Sequence, residues 1–370
     1  MTPIIEARQL RKHYGGPLAV RDVSLAVNEG EFLSLLGASG SGKTTTLRLI
    51  AGLETPTQGT VLFRGRDITN VPVAQRDMRM VFQDFALFPN LTVWENVAFG
   101  LRLRINRGRV TSDQIKARVG QYLDTVQLSG HAAKMPHQLS GGQRQRVSLA
   151  RALVTDPPVV LFDEPLGSLD ANMRKVMQLE LKRLHRELRK TFIYVTHDQE
   201  EAMGLSDRVA VLQDGQLLQL GTPDDIYFRP NCAAVANFIG AANVLQGVAE
   251  VAPGRPLGVQ LTGGLRLAAA DNAAGIANGE AVTIMLRAEQ VRIAPAAGNT
   301  ADGLRAQITE RLFLGETVRY ELDVPAAGLR LTAIAGGDHL RLSLGDDVIV
   351  TVDPRNVRVL PRGAGPRVDA

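Results

Sequence analysis

The chain has 370 residues, a net charge of +4, 45% hydrophobic and 22% charged residues, a balance that exceeds one ordinary domain and excludes a disordered protein. No run approaches the ~18 to 20 uninterrupted apolar residues of a bilayer-spanning helix, and residues 1–10 carry Glu6 and Arg8 where a signal peptide would have its apolar zone, so a two-domain cytosolic protein is expected. The lone cysteine, Cys232, excludes an internal disulfide or a multi-cysteine metal site, and 42 Lys plus Arg are spread along the chain against 38 acids, which argues against a nucleic-acid partner.

Residues 4–11 and 20–27 alternate apolar and polar positions on either side of the turn-forming Gly15-Gly16-Pro17, which predicts antiparallel strands at the start. A buried strand over 31–36, a glycine-rich loop over 37–42 and helical spacing over 44–53 follow. Between about 86 and 157 the pattern is mostly helical, with amphipathic stretches at 93–103, 112–127 and 142–154, and reads as an insert. Strands at 159–162 and 192–196 flank a long helix over 171–188, so an α/β alternation with a parallel sheet resumes. Beyond about 240 the helical patterns give way to short strands at 282–287, 304–313, 317–322 and 347–352 separated by Gly, Pro, Asn and Asp. The expected division is therefore a first domain over 1–240, an all-β domain over 241–362, and a Gly/Pro-rich disordered tail over 363–370.

Gly37-Ala38-Ser39-Gly40-Ser41-Gly42-Lys43-Thr44, with Thr45 after it, fits the phosphate-binding pattern G-x-x-x-x-G-K-[ST] between a predicted strand and a predicted helix. Its glycines let backbone N–H groups face a phosphate chain; Lys43 would reach the β- and γ-phosphates and Thr44 would offer a hydroxyl to Mg²⁺. A parallel strand delivers its C-terminal end to the ligand crevice, so Asp163 and Glu164, which close the apolar run 159–162, suit metal binding and activation of an attacking water. Two acids after an apolar strand also simply terminate it; the phosphate loop in the same chain favours the chemical reading.

Leu139-Ser140-Gly141-Gly142-Gln143 resembles the signature sequence of the ABC (ATP-binding cassette) ATPase family, in which paired glycines and a serine hydroxyl approach a phosphate at a helix N-terminus. The resemblance covers about 4–240 and implies further roles in order. Gln83 matches the glutamine that touches Mg²⁺ and water, His197 matches the switch histidine at the γ-phosphate, and Ser168-Leu169-Asp170 resembles the loop that communicates across the dimer. A helix N-cap is the plainer role for Asp170. Tyr14 occupies the position of the adenine-stacking aromatic. The implied fold is an α/β P-loop NTPase with a RecA-like core, an antiparallel β subdomain and a helical subdomain. The implied mechanism sandwiches two ATP molecules between two head-to-tail copies, with Glu164 orienting or deprotonating water.

Residues 85–93, directly after Gln83, resemble importer ATPases, in which this neighbourhood receives a helix of a membrane permease subunit. Residues 237–243, Met285-Leu286-Arg287-Ala288-Glu289 and Phe313-Leu314-Gly315-Glu316 resemble the OB-like C-terminal regulatory module of the TOBE type, with Ala288 departing from the usual Arg-Pro-Glu. The resemblance implies a peripheral subunit at the cytoplasmic face of the bacterial inner membrane, working with two permease subunits and an external solute-binding protein. The wording of 163–170 and 237–245 is similar to polyamine importers, with ferric iron, phosphonate and sulfate importers as alternatives; a soluble non-transport ATPase and a non-hydrolysing regulatory subunit are the rival classes.

Overall fold

The computed structural model describes residues 3–105, 110–252, 256–262, 265–269, 275–296, 303–336 and 342–361. The tail expected over 363–370 lies outside the described residues. Two compact units divide at Pro223/Asp224.

The first unit holds two sheets. Strands β1 (Ile5–His13) and β2 (Leu18–Val27) pair antiparallel, with β4 (Gln58–Phe63) and β5 (Arg66–Asp67) completing a four-stranded sheet in the order β2-β1-β4-β5. The opening hairpin thus belongs to a sheet of its own, and β4 and β5 supply the partners that the sequence left unread. The main sheet runs β10 (Gln216–Gly221), β9 (Arg208–Gln213), β3 (Phe32–Leu36), β8 (Thr191–Thr196), β7 (Val159–Asp163) and β6 (Met78–Val81). Its strands from β9 to β6 are mutually parallel, and β10 turns back antiparallel on β9. Parallel pairing is what gathers the chemistry, because the chain leaves β3, β6, β7 and β8 at one edge of the sheet, where residues 37–44, Gln83, Asp163-Glu164 and His197 stand.

Period-two alternation assigns each face of this sheet to a different core. Leu33, Leu35, Val159, Leu161, Ile193 and Val195 pack with helix α1 (Lys43–Ala51) and the antiparallel sheet. Phe32, Val160, Phe162, Phe192 and Tyr194 face helices α2 (Val93–Ile105), α3 (Ser112–Thr125), α4 (Gly141–Leu153) and α5 (Ala171–Leu188). Phe162 and Phe192 meet edge-on with centroids 5.0 Å apart, a favourable aromatic geometry. Helices α3, α4 and α5 start where a side chain satisfies their free amides: Thr111 and Ser140 form reciprocal capping boxes with Gln114 and Gln143, and Asp170 caps α5 through the Met173 amide.

In the second unit, the short helices α7 (Pro223–Phe228) and α8 (Ala233–Phe238) precede two five-stranded antiparallel sheets. One contains β11 (Ala242–Glu250), β12 (Leu257–Leu261), β13 (Arg266–Ala269), β14 (Ala281–Arg287) and β20 (Arg358–Leu360); the other contains β15 (Val291–Pro295), β16 (Leu304–Phe313), β17 (Val318–Val324), β18 (Leu329–Ala335) and β19 (Asp347–Val352). Both sheets contribute to one apolar core. Asn243 bridges them: its side-chain amide donates to the Thr332 carbonyl at 2.9 Å and accepts from the Thr332 amide at 2.7 Å. The unit begins earlier than the composition change at 240 because Arg287, itself buried, donates to the carbonyls of Tyr227, Ala236 and Ile239 and lies over the Tyr227 ring. That one side chain ties both short helices to β14.

Candidate functional site

The phosphate-loop segment turns sharply out of β3. Gly42 has φ 96°, in the left-handed region, and a Cβ there would fall 2.6 Å from the Ala19 carbonyl oxygen, so both backbone and space demand glycine. The same contact sets the start of β2 beside the loop. Gly42 is also the N-cap of α1 and brings no side chain to its first amides, which leaves the positive end of the helix dipole open to an anion. Ala38, Ser39 and Gly40 are exposed, Ser41 is buried, and Thr44 and Thr45 are half-buried at the first turn of α1.

Lys43 lies over this loop, its Nζ donating to the carbonyls of Gly37 and Ala38 at 2.8 Å each. Burial lowers its pKa, with Glu164 and Asp163 opposing that shift. The Thr44 hydroxyl donates to Asp163 Oδ1 at 2.9 Å, and Arg48 stands 3.9 Å from the other carboxylate oxygen. Desolvation raises the Asp163 pKa while the Thr44 bond and Arg48 pull it down. A hydroxyl beside a buried carboxylate is a hard-oxygen pair, the donor type that suits a small divalent cation.

Glu164 follows Asp163 with φ 45°, a left-handed kink that is sparsely populated for a non-glycine residue. Its amide donates to the Val195 carbonyl at 3.1 Å, anchoring the kink to the end of β8. The carboxylate is then within 3.1 Å of His197 Nδ1, with the histidine side chain 61% exposed and Glu164 22%. Gln83 joins them: a Cβ on Gly167 would lie 3.6 Å from Gln83 Nε2 and 3.9 Å from Glu164 Oε2. Lys43, Thr44, Asp163, Glu164, His197 and Gln83 therefore converge on one edge of the sheet.

Five other expected residues stand elsewhere. Tyr14 lies in the turn between β1 and β2, 59% exposed, with Lys12 Nζ 4.9 Å from its ring centroid. Ser140 and Gln143 are engaged with each other at the start of α4, the hydroxyl accepting from the Gln143 amide at 3.3 Å, and Gln143 Nε2 is 2.9 Å from His131 Nε2. Gly142 packs closely on α5, where a Cβ would sit 2.6 Å from Met173 Sδ. Asp170 caps α5, as the plainer reading anticipated.

Sequence reasoning passed over the arrangement that holds the loop after Gln83. Phe85 and Ala86 have φ of 63° and 44°. Their carbonyls accept from the Arg151 guanidinium at 2.9 and 2.6 Å, and Ser148 also donates to the Phe85 carbonyl at 3.1 Å. Both donors lie on α4, the helix that begins at Ser140. The positive-φ aromatic could not be read from sequence, and Arg151, one turn beyond Val147, belongs to no motif there.

Residues 20–167 match the ABC transporter family and residues 284–360 match the TOBE domain. The spermidine/putrescine import ATP-binding protein of Rubrobacter xylanophilus is 47% identical over 359 residues, covering 96% of this chain and 93% of that protein. A protein of the same name from Acetivibrio thermocellus is 40% identical with 97% of both chains covered. Among solved structures, a dimeric ATP-binding cassette in a post-hydrolysis state, bound to ADP and phosphate, is 34% identical with a TM-score of 0.53, covering 59% of this chain and 98% of that one. Identity of this order across nearly the whole length places the chain in the ABC transporter family, as one of its ATP-hydrolysing subunits with a C-terminal TOBE domain.

Proposed function

We propose that this chain hydrolyses ATP to energise polyamine import, as the peripheral subunit of a transporter whose membrane-spanning part is supplied by other chains. The observation that carries the reading is the convergence of Lys43, Thr44, Asp163, Glu164, His197 and Gln83 where β3, β6, β7 and β8 end. Near-full-length similarity to proteins named for spermidine/putrescine import supports the solute class.

In this reading the amides of Gly37, Ala38, Ser39, Gly40, Ser41, Gly42, Lys43, Thr44 and Thr45 surround the phosphates, and Tyr14 stacks on the adenine. Thr44, Asp163 and Gln83 are the residues that would hold Mg²⁺, which supplies charge neutralisation of the phosphate oxygens when bound. Glu164 takes a proton from, or orients, the attacking water, and His197 steadies the Glu164 carboxylate and reaches the γ-phosphate. Ser140, Gly141, Gly142 and Gln143 serve the nucleotide of a second copy, and Asp170 lies beside that interface. Two copies, two permease subunits and an external solute-binding protein make up the transporter, attached at the cytoplasmic face of the bacterial inner membrane through the permeases. None of the described helices is long and apolar enough to cross a membrane.

Uptake of labelled putrescine and spermidine, beside ferric iron, sulfate and a phosphonate, in cells carrying either the native chain or Glu164→Gln tests this directly. Loss of polyamine uptake alone is expected. Unchanged polyamine uptake with loss of another solute would reassign the cargo, and unchanged uptake of all of them would remove the transport reading.

A further inference from the structure

A buried carboxylate outside the reacting groups links the two turns on which those groups depend. Glu201, on the short helix α6 (Gln199–Leu205), is 4% exposed. Its Oε2 accepts from the Tyr194 hydroxyl at 2.8 Å and from the Thr196 hydroxyl at 2.7 Å. The Thr196 hydroxyl in turn accepts from the Asp198 amide at 3.0 Å, and Asp198 Oδ1 accepts from the amides of Glu200 and Glu201 at 2.8 and 3.1 Å. Both residues that flank His197 are thus fixed to one carboxyl group. Its other oxygen stands 3.9 Å from Arg174 Nε. Arg174 lies in the first turn of α5, 3.6 Å from the Asp198 carboxylate, and donates to the Leu169 carbonyl at 3.1 Å. A continuous run of side chains therefore connects the Leu169-Asp170 turn to the backbone on either side of His197.

Stability alone gives a poor account of this arrangement. Burying a carboxylate is costly, and an arginine at 3.9 Å does not restore that cost; two hydroxyls could be served by a neutral acceptor. What the carboxylate adds is one charged group with two oxygens, one taking two donors from β8 and the other facing a cation from α5. The His197 ring, itself exposed, depends on its backbone for its 3.1 Å approach to Glu164. Misplacement of a reacting group by about 1 Å costs up to about a hundredfold in rate.

We infer that Glu201 and Arg174 are positioning residues for hydrolysis, holding His197 against Glu164 and making that placement depend on the Leu169-Asp170 turn. The inference rests on the ATPase reading. It makes the two residues one unit: loss of either frees the His197 turn, and loss of both frees it no further.

The test is steady-state ATP turnover with Mg²⁺ by the purified full-length chain and its variants, beside thermal melting of each. Glu201→Gln and Arg174→Met should each lower kcat about tenfold to a hundredfold with KM for ATP within about twofold, and the double variant should match the worse single. Thr196→Val should fall with them, and Thr196→Ser, which keeps the hydroxyl, should recover most of the loss. A folded Glu201→Gln protein with native kcat, or losses that multiply in the double variant, would overturn the inference. If Glu201→Gln fails to fold, the Thr196 pair decides: equal turnover by the Val and Ser variants sinks it, and a Ser-specific recovery upholds it. Absence of turnover by the native chain would remove the ATPase reading and the inference with it.

Discussion

Arg151→Ala would strip both guanidinium donors from the carbonyls of Phe85 and Ala86, and the structure allows the cost to be worked out. A hydrogen bond from a charged donor contributes about 1.5 to 3 kcal/mol. The exposed Ala86 carbonyl can turn to water, and Ser148 still donates to Phe85, so the net loss is about 2 to 4 kcal/mol of local stability. Left-handed backbone at two non-glycine residues, about 1 to 2 kcal/mol each, works in the same direction by favouring release. At about 1.4 kcal/mol per factor of ten, the loop should open roughly 30 to 1,000 times more often. Hydrogen exchange at the Phe85 and Phe88 amides, bonded to the Phe82 carbonyl and the Asn96 side chain, reads this opening separately from global unfolding. Adding Ala86→Gly removes one strained position; the gain is offset by about 0.4 to 1 kcal/mol of chain entropy, and a few-fold recovery of protection is expected. Unchanged exchange at both amides in Arg151→Ala would refute the claim that the guanidinium holds the loop.

Three further outcomes follow from the geometry. Glu164→Gln should slow ATP turnover by about two to four orders of magnitude while equilibrium binding of nucleotide persists, measured by single-turnover hydrolysis beside a binding titration; near-native turnover would remove Glu164 from its role. Gly42→Ala, which forces a Cβ to 2.6 Å from the Ala19 oxygen at φ 96°, should abolish nucleotide binding or cost about 3 kcal/mol or more of stability, whereas the same change at the open, exposed Gly204 should be nearly silent in a melting experiment. In the second unit, burial and the Glu289 carboxylate push the Tyr227 hydroxyl up to about 12 from 10.0. Because the folded value is the higher one, its stabilising effect is complete below pH 10 and is lost as pH rises toward 12. Denaturant titrations at pH 9 and 11.5 should therefore diverge less for Tyr227→Phe than for the native chain.

Much of the candidate site's edge was legible because each of its parts sits in a local pattern: residues 37–44 between strand and helix, Asp163-Glu164 at the end of an apolar run, and a helix over 171–188 that the structure reproduces as α5. What escaped has no local pattern. Arg151, Arg174 and Glu201 are ordinary polar residues by their spacing, and their partners lie 65, 5 and 7 positions away or on another element. Strands β4, β6, β9 and β10 also went unread in the sequence. The sequence places the division at 240, where the helical patterns give way to short strands, whereas the chain's contacts divide it at Pro223/Asp224; the Arg287 bonds to Tyr227, Ala236 and Ile239 and the Tyr227–Glu289 bond tie α7 and α8 to the β-rich unit.

Asn243 offers a final consequence. By exchanging a donor and an acceptor with Thr332, its side chain imitates one rung of an antiparallel ladder between strands that belong to different sheets. An aspartate at this position would present acceptors only, and would set a charge against the Thr332 carbonyl. Buried inside β11 and followed by the β-branched Val244, the amide is held as a fixed cross-tie, a polar fastening between two sheets that share one apolar core.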